Sequence, residues 1–263
     1  MKTKSIITQR MSLALVTLLS FSQFALAGSN KLTTLELINI AGKQRMLSQR
    51  ISKDYLYKGG NIAVSKADTQ LSETLKESLD AQKILQKSID NPKITNLIEF
   101  VAMNYEDIAE KTKEKFSKDN AQYVLDLSES MLEGNEYIMT SLNKSSKVHT
   151  SKLIDMSERQ AMLSQRIAKY YIAYQLGIKD KNTVHQMNKA VKLFSDNHKI
   201  LMQNKTNTPE INLKFKKIDR LWKIVYKFYL DIETGGLPLI VFNTTDDISA
   251  KMDEIASMYL KIK

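Results

Sequence analysis

The chain has 263 residues, a formal net charge of +10 and no cysteine. The absence of cysteine excludes disulfides, thiolate metal sites and thiol nucleophiles, so packing has to provide the stability. Only 8 glycines and 3 prolines occur, and the segments between them have a helical apolar period. This composition predicts an all-α fold.

The first 27 residues have the pattern of a secretory signal peptide. Lys2, Lys4 and Arg10 precede an apolar run that ends in "ALA" before Gly28. An uncleaved anchor is the alternative, but polar residues interrupt the run, and a span needs about 20 apolar residues. We therefore expect cleavage after Ala27 and a periplasmic protein.

Loss of those three basic residues lowers the formal charge to +7, which favours anionic ligands or an anionic membrane surface. We do not expect nucleic acid as a partner, because the lysines are spread along polar helix faces and nucleic acid is not the expected ligand of a periplasmic protein.

Short breaks rich in glycine, proline or asparagine divide the rest of the chain into eight predicted helices. These lie near residues 30–58, 61–90, 93–116, 119–150, 151–176, 180–204, 209–231 and 242–263. Apolar stripes, such as Leu71, Leu75 and Leu79, are expected to face the core. The stretch "GGLPLIVF" at 235–242 is predicted to be an apolar loop.

An internal repeat groups the helices. A shift of 116 residues superimposes "MLSQRI" at 46–51 on the same letters at 162–167, and it also pairs Lys53 with Lys169. Such a match predicts two tandem four-helix bundle modules, 28–150 and 151–263. Because neither glycine nor proline occurs between Glu136 and Leu176, we expect one shared helix that stacks the modules end to end. The alternative is a hairpin at "NKSSK", 143–147, which brings the two motifs face to face.

The repeated motif carries polar residues that suit an oxyanion. On a helical wheel Leu47 and Ile51 belong to the core stripe, Arg45 and Gln49 point to the opposite side, and Arg50 flanks the stripe. Arginine donates bidentate hydrogen bonds to oxyanions and stays charged. One helix cannot aim both arginines at one ligand, so the site needs a second helix, from the other module or from a second chain in a homodimer. Alternatively, the arginines cap backbone carbonyls or pair with bundle carboxylates such as Glu36 or Asp54.

The stretches "AGKQRMLSQRISK" (41–53) and "RQAMLSQRIAK" (159–169) resemble the signature of the PilJ/NarX-type sensor domain. That domain lies outside the membrane in type IV pilus chemotaxis transducers and in nitrate/nitrite sensor kinases. The resemblance implies four-helix bundles and an arginine-containing box that binds nitrate at a symmetric interface. It places Arg45 and Arg50 on that box, while Ala161 stands where the first motif has Arg45.

These observations lead to two functional hypotheses. In the first, a secreted sensor-type protein binds a small oxyanion such as nitrate or nitrite and signals through a membrane-bound sensor or chemoreceptor. The candidate ligand-binding residues are Arg45, Gln49, Arg50, Arg159, Gln165 and Arg166. In the second, the chain is a non-catalytic structural or assembly protein associated with type IV pili or a membrane receptor.

We expect neither catalytic residues nor a cofactor. The three histidines, His149, His185 and His198, share no metal-ligand spacing, so no metal site is predicted. The sequence also contains no nucleophile elbow, P-loop or paired-carboxylate motif.

Overall fold

A computed structural model describes residues 32–145, 149–179 and 181–262, so the predicted signal peptide, Met1–Ala27, lies outside the described residues. The described residues form helices and connections and contain no strand, which confirms the predicted all-α class. The helices are α1 Thr34–Gly59, α2 Val64–Ser88, α3 Pro92–Lys111, α4 Lys118–Ser145, α5 His149–Gln175, α6 Lys181–Met202, α7 Pro209–Leu230 and α8 Pro238–Tyr259.

Local sequence signals explain where several helices begin. Thr33 and Glu36 form a capping box at the start of α1, in which each side chain bonds the backbone N–H of the other residue. Asn91 and Thr208 cap α3 and α7, and a proline follows each of them at the first helical position. These caps satisfy backbone N–H groups that would otherwise have no partner.

The predicted apolar loop at 235–242 is wrong in its second half. α8 begins at Pro238, and Val241 and Phe242 in its first turns are fully buried. Proline stabilises this start because its fixed φ suits the first helical turn. Leu237 and Leu239 are about half exposed at the same end of the helix.

The helices contact one another in two sets of four. α1 and α3 each pack against α2 and α4, and α5 and α7 each pack against α6 and α8. The two sets meet along an extensive contact between α1 and α5, so Thr33–Lys263 forms one compact unit. The predicted stripe residue Leu71 is buried in the first core, where it lies among Ala67, Val101 and Ile108. A boundary between independent modules at 150/151 remains a prediction.

The expected end-to-end stack on one shared helix is wrong, because α4 and α5 run antiparallel. Arg159 of α5 bonds Glu136 of α4, and Arg166 bonds Glu129 further along the same pair of helices. In a continuous helix the 23 residues between Glu136 and Arg159 would separate them by about 35 Å. The alternative of a hairpin with facing motifs agrees with these contacts, although its turn, 146–148, lies outside the described residues.

Burial explains why the hairpin is favoured. Along both motif helices almost every side chain between 44 and 57, and between 160 and 173, is buried, polar residues included. An end-to-end stack would leave the long sides of α1 and α5 uncovered, whereas the hairpin lets each helix cover the other. In the described parts of the chain, no helix combines the length and the apolar character that crossing a membrane requires.

Candidate functional site

The motif helices α1 and α5 pack side by side in the register of the sequence repeat. A Cβ added to Gly42 would lie 2.8 Å from Cγ of Glu158, and one added to Gly60 would lie 2.7 Å from Cδ2 of Leu176. Both contacts join residues that the shift of 116 relates. The two helices are therefore parallel, and the two motifs face each other across an approximate twofold axis.

The helical wheel placed Arg45 and Gln49 away from the core, and this placement is wrong. Both side chains are fully buried, as are Leu47 and Ile51 on the expected stripe. The physical reason is that α1 contacts α2, α4 and α5 at once, so its motif has no solvent-facing side.

Two carboxylates neutralise Arg45. Its Nη1 donates to Glu136 Oε2 at 2.9 Å, its Nη2 lies 2.7 Å from Asp155 Oδ1, and Nη2 also donates to the Asp155 carbonyl at 3.2 Å. Burial opposes the charge, but Asp155 and Glu136 outweigh it, so the pKa of Arg45 is raised. Arginine pairing with carboxylates was the alternative to an oxyanion, but the partners are not Glu36 or Asp54.

Glu136 links the two motif-bearing helices through a second arginine. Arg159 of α5 donates Nη2 to its Oε1, while Arg45 of α1 holds the other oxygen. Partial burial raises the pKa of Glu136, but the two arginines overcome this effect and lower it below the usual value. Two of the six predicted residues thus converge on a carboxylate of the protein itself.

The two motif glutamines bind backbone carbonyl groups. Gln49 donates Nε2 to the Ser128 carbonyl at 2.9 Å, and Gln165 donates Nε2 to the Thr245 carbonyl at 3.3 Å. Each glutamine therefore links its motif to the last helix of its own set, α4 or α8. Both are fully buried, so they bind the scaffold and do not face an open site.

The basic residues at the end of the second motif reach across to the other set. Arg166 and Lys169 of α5 both bond Glu129 of α4, and Lys169 also donates to Ser128 Oγ at 3.0 Å. Burial lowers the pKa of Lys169 to about 8, which leaves it charged at neutral pH. Burial alone would raise the pKa of Glu129, but Lys169 and Arg166 lower it to about 2.

The first motif makes the equivalent contact with the second set of helices. Lys53 of α1 bonds Asp246 of α8, and its Nζ lies 4.2 Å from the centre of the Phe242 ring. Arg50 is half-buried, and its Nε has no hydrogen-bond partner among the described residues. Burial would raise the pKa of Asp246, but the charges of Lys53 and Arg50 outweigh it and lower that pKa. For Asp54 burial dominates and raises the pKa to about 7. The paired lysines thus connect the two sets of helices symmetrically.

Sequence reasoning missed the acidic partners and the lysines. The repeat itself contained the signal for the lysines, since Lys53 and Lys169 occupy equivalent positions three residues after Arg50 and Arg166. The carboxylates that bind them lie on α4 and α8, where no motif marks them.

Glu158 is a further buried acid that the sequence did not indicate. It is fully buried against Gly42, and neither carboxyl oxygen has a hydrogen-bond partner in the described residues. Burial, reinforced by Asp253 and Asp155 and opposed by Lys43 and Arg45, raises its pKa well above 4.5. Burial therefore favours the protonated form of Glu158.

A small cleft opens beside the Arg45 cluster. Its volume is about 280 Å³, and the described residues that line it are Glu136, Met139, Thr140, Asn143, Lys144, Asp155 and Arg159. The lining carries charges of both signs, because Lys144 and Arg159 face Glu136 and Asp155. In the described parts of the chain, no three histidine or carboxylate side chains are grouped to hold a metal ion.

Comparisons with protein-family models, with curated proteins and with solved structures gave no match. Membership of the PilJ/NarX-type sensor family therefore remains a prediction from the repeated motif.

Proposed function

We propose that the protein is a non-catalytic structural or assembly protein in which the repeated motif joins two four-helix sets into one body. The observation that carries this proposal is the environment of Arg45, which is fully buried and bound by both Glu136 and Asp155. The positive charge of Arg45 is therefore balanced by carboxylates of the protein itself.

Electrostatics argue against an inorganic anion at this place. Nitrate could reach the fully buried Arg45 only by displacing Glu136, which would keep Arg159 alone, or Asp155, which would lose its arginine. Breaking a buried ion pair in this way costs about 3 to 5 kcal/mol, which a weakly basic anion with few contacts does not return. The glutamines offer no substitute, because their amide groups bind the carbonyls of Ser128 and Thr245.

Thermal unfolding in matched salts tests the proposal. Nitrate and nitrite should shift the Tm no more than chloride does at equal ionic strength, because a ligand raises the Tm only by binding the native state. Arg159→Ala serves as the comparison variant, since Arg159 is partly exposed and binds the same Glu136. A nitrate-specific rise in Tm that disappears in Arg159→Ala would overturn the structural proposal and favour the sensor hypothesis.

The cleft beside Arg159 supports a second candidate, a sensor-type ligand-binding protein. Its mixed charges suit a small zwitterion better than nitrate, because a carboxylate can bind Arg159 and Lys144 while an ammonium group binds Asp155. Calorimetric titration with free amino acids tests this candidate. Heat of binding that Arg159→Ala abolishes would support it, and the absence of heat with every amino acid would eliminate it.

Export is part of both candidates. The basic residues before the apolar run, and the "ALA" that ends it, support cleavage after Ala27 and action outside the cytoplasm, beside type IV pili or a membrane receptor. The intact mass of the exported protein tests this point, since a mass that still includes Met1 to Ala27 would contradict it.

A further inference from the structure

Four connections between helices lie together at one end of the molecule. α1, α3, α5 and α7 end there, and the helix that follows each of them begins there. Close contacts join the connections, since a Cβ added to Gly60 would lie 2.7 Å from Cδ2 of Leu176, and one added to Gly59 would meet the Phe116 ring. We call this region the connection end. It consists of residues 60–63, 112–117, 176–179 and 231–237.

Unusual backbone conformations are concentrated at the connection end. In the described parts of the chain, every residue with a left-handed backbone lies there: Asn61, Ala63, Gly177, Gly235, Gly236 and Leu237. Leu237 is the least expected of them, because this conformation is unfavourable for a large side chain that has no polar group to bond the backbone. Such backbone strain persists only where the surrounding structure holds it, and it often marks a functional site.

The α7–α8 connection and the first turn of α8 present apolar side chains to solvent. Leu237 is 54% exposed, and Leu239 and Ile240 are 49% and 38% exposed. A Cβ added to Gly236 would meet no other atom within 4 Å, so the backbone before them faces open space. We call Leu237, Leu239 and Ile240 the apolar turn.

Buried side chains of the two motif helices fix the position of the apolar turn. Tyr57 of α1 donates its hydroxyl to the carbonyl of Pro238 at 3.0 Å, and Tyr171 of α5 donates its hydroxyl to the carbonyl of Gly236. These two hydrogen bonds hold the backbone on both sides of Leu237. The fold itself therefore keeps this leucine exposed.

Lysines lie beside the apolar turn on the neighbouring connections. Lys115, Lys118 and Lys179 are exposed, and none of them forms an ion pair with another described residue. Lys118 reaches the end of α5, because a Cβ added to Gly177 would lie 2.9 Å from its Nζ. The α7–α8 connection contacts the same helix end through Gln175. The end of α5 thus lies between the apolar turn and this lysine cluster.

We propose that the connection end docks onto the surface of an anionic lipid bilayer. The apolar turn enters the boundary between lipid headgroups and acyl chains, and the lysine cluster binds the lipid phosphates. Peripheral binding of this kind gains free energy from buried apolar area and from attraction between basic residues and anionic lipids.

The chemistry of the surface favours a bilayer over a protein partner. A turn that projects from the end of a helix bundle can enter a fluid interface, whereas a protein partner would need a groove of complementary shape. Unpaired positive charges beside apolar side chains match a surface that has negative phosphates over an apolar interior. The inference goes beyond the proposed function, since the cleft lies at the opposite end, beside the last turns of α4.

Co-sedimentation of the full chain with vesicles measures the binding. The protein should bind vesicles of phosphatidylethanolamine and phosphatidylglycerol in equal parts, and added salt should weaken the binding by screening. Vesicles of phosphatidylcholine carry no net charge and should bind much less protein. Every variant keeps the same N-terminus, so a change in binding reports the substituted residue.

Leu237→Asn separates lipid binding from folding. It should lower the affinity for the anionic vesicles about tenfold, because a large apolar side chain no longer leaves water. The Tm should stay the same or rise, since asparagine tolerates the left-handed backbone better than leucine does. Leu213→Asn is the matched control, because Leu213 is also 54% exposed but lies at the opposite end of α7, and it should leave the affinity unchanged.

Charge substitutions test the electrostatic part in both directions. Lys115→Gln and Lys179→Gln should each lower the affinity about fivefold. Lys205→Gln, an exposed lysine on the α6–α7 connection at the other end, should change it little. Glu233 is exposed on the α7–α8 connection and opposes binding, so Glu233→Lys should raise the affinity about fivefold or more.

Three results would contradict the inference. The first is a protein that does not bind the anionic vesicles, or that binds phosphatidylcholine equally well. The second is an affinity that Leu237→Asn lowers no more than Leu213→Asn does. The third is an affinity that neither the lysine substitutions nor Glu233→Lys changes, which would leave the connection end without a role in lipid binding.

Discussion

Glu158 of α5 packs directly against the backbone of α1 at Gly42, where a Cβ would lie 2.8 Å from Cγ and 2.9 Å from Cβ of the glutamate. The shift of 116 residues aligns Gly42 with Glu158, so the two residues in contact are also equivalent in the sequence repeat. This contact lies in the interface between the two sets of helices. We therefore expect stability to depend on the side-chain volume at residue 42 and on the protonation of Glu158.

Gly42→Ala should destabilise the protein by about 1 to 3 kcal/mol, because the added methyl group overpacks a fully buried contact. In a free helix the same change would stabilise by up to about 1 kcal/mol. Chemical denaturation of a double-mutant cycle checks the cause. Glu158→Ala should relieve part of the effect, since it removes the Cγ at 2.8 Å but keeps the Cβ at 2.9 Å, and additive losses in Gly42→Ala/Glu158→Ala would show that the two residues do not interact.

Arg45→Ala should lower the free energy of unfolding by about 3 to 5 kcal/mol, because it removes a fully buried side chain and leaves Asp155 without its counter-charge, while Glu136 keeps only Arg159. Arg159→Ala should lower it by only about 1 kcal/mol or less, since Arg159 is 31% exposed and Arg45 still neutralises Glu136. Urea denaturation of both variants measures the difference. Equal losses would contradict the central role assigned to Arg45.

Glu158 should make stability fall as pH rises above about 4.5. Its pKa is raised well above 4.5 in the folded state, so the unfolded chain loses the proton first and the folded chain binds more protons over this range. Glu158→Gln removes this titration. We therefore expect the stability of the variant relative to the unmodified protein to increase as the pH rises above 4.5.

The comparison of the two proteins at each pH isolates Glu158. Asp54, whose pKa burial raises to about 7, acts in the same direction, but it is present in both proteins and its effect cancels. Denaturation curves at closely spaced pH values provide the measurement. A stability difference that does not change with pH would mean that Glu158 is ionised in the folded protein.

Glu129→Gln should destabilise the protein by about 3 to 5 kcal/mol, because buried Lys169 and neighbouring Arg166 would face each other without a counter-charge. Glu106→Gln on exposed α3 is the control, and it should change the free energy of unfolding by no more than about 0.5 kcal/mol. Thermal and urea unfolding measure both variants.

The pairing of Lys169 with Glu129 also predicts that the protein loses stability at acid pH. The pKa of Glu129 is lowered to about 2 from its usual 4.5, so its contribution is complete above 4.5 and is lost as pH falls from 4.5 towards 2. In Glu129→Gln this part of the acid destabilisation should be missing. An unchanged acid profile in the variant would indicate that the ion pair does not contribute to stability.

The sequence predicted the helices well because their signals are local. The capping box at Thr33 and Glu36, and the prolines after Asn91 and Thr208, lie at the ends of the helices that they define. The turn between α4 and α5 was only the alternative to a shared helix, because neither glycine nor proline occurs between Glu136 and Leu176. Tertiary packing imposed it, since both motif helices need cover on every side.

For the candidate site, the sequence identified residues but not their surroundings. Arg45, Arg159 and Arg166 bind carboxylates of the protein itself, and Gln49 and Gln165 bind its backbone carbonyls. A helical wheel assumes one buried face and one exposed face, and this assumption fails for a helix that three others surround.

The sequence by itself determined the all-helical class, the positions of most helices and the repeat of 116 residues that reappears as the register of α1 on α5. It could do so because helical period, caps and repeats are written within short stretches. Only the tertiary structure decided that the chain turns back between α4 and α5 and that Arg45 is neutralised. Glu136 and Asp155 lie 91 and 110 residues from Arg45 along the chain, and only the packing of α4 and α5 around α1 brings their charges together.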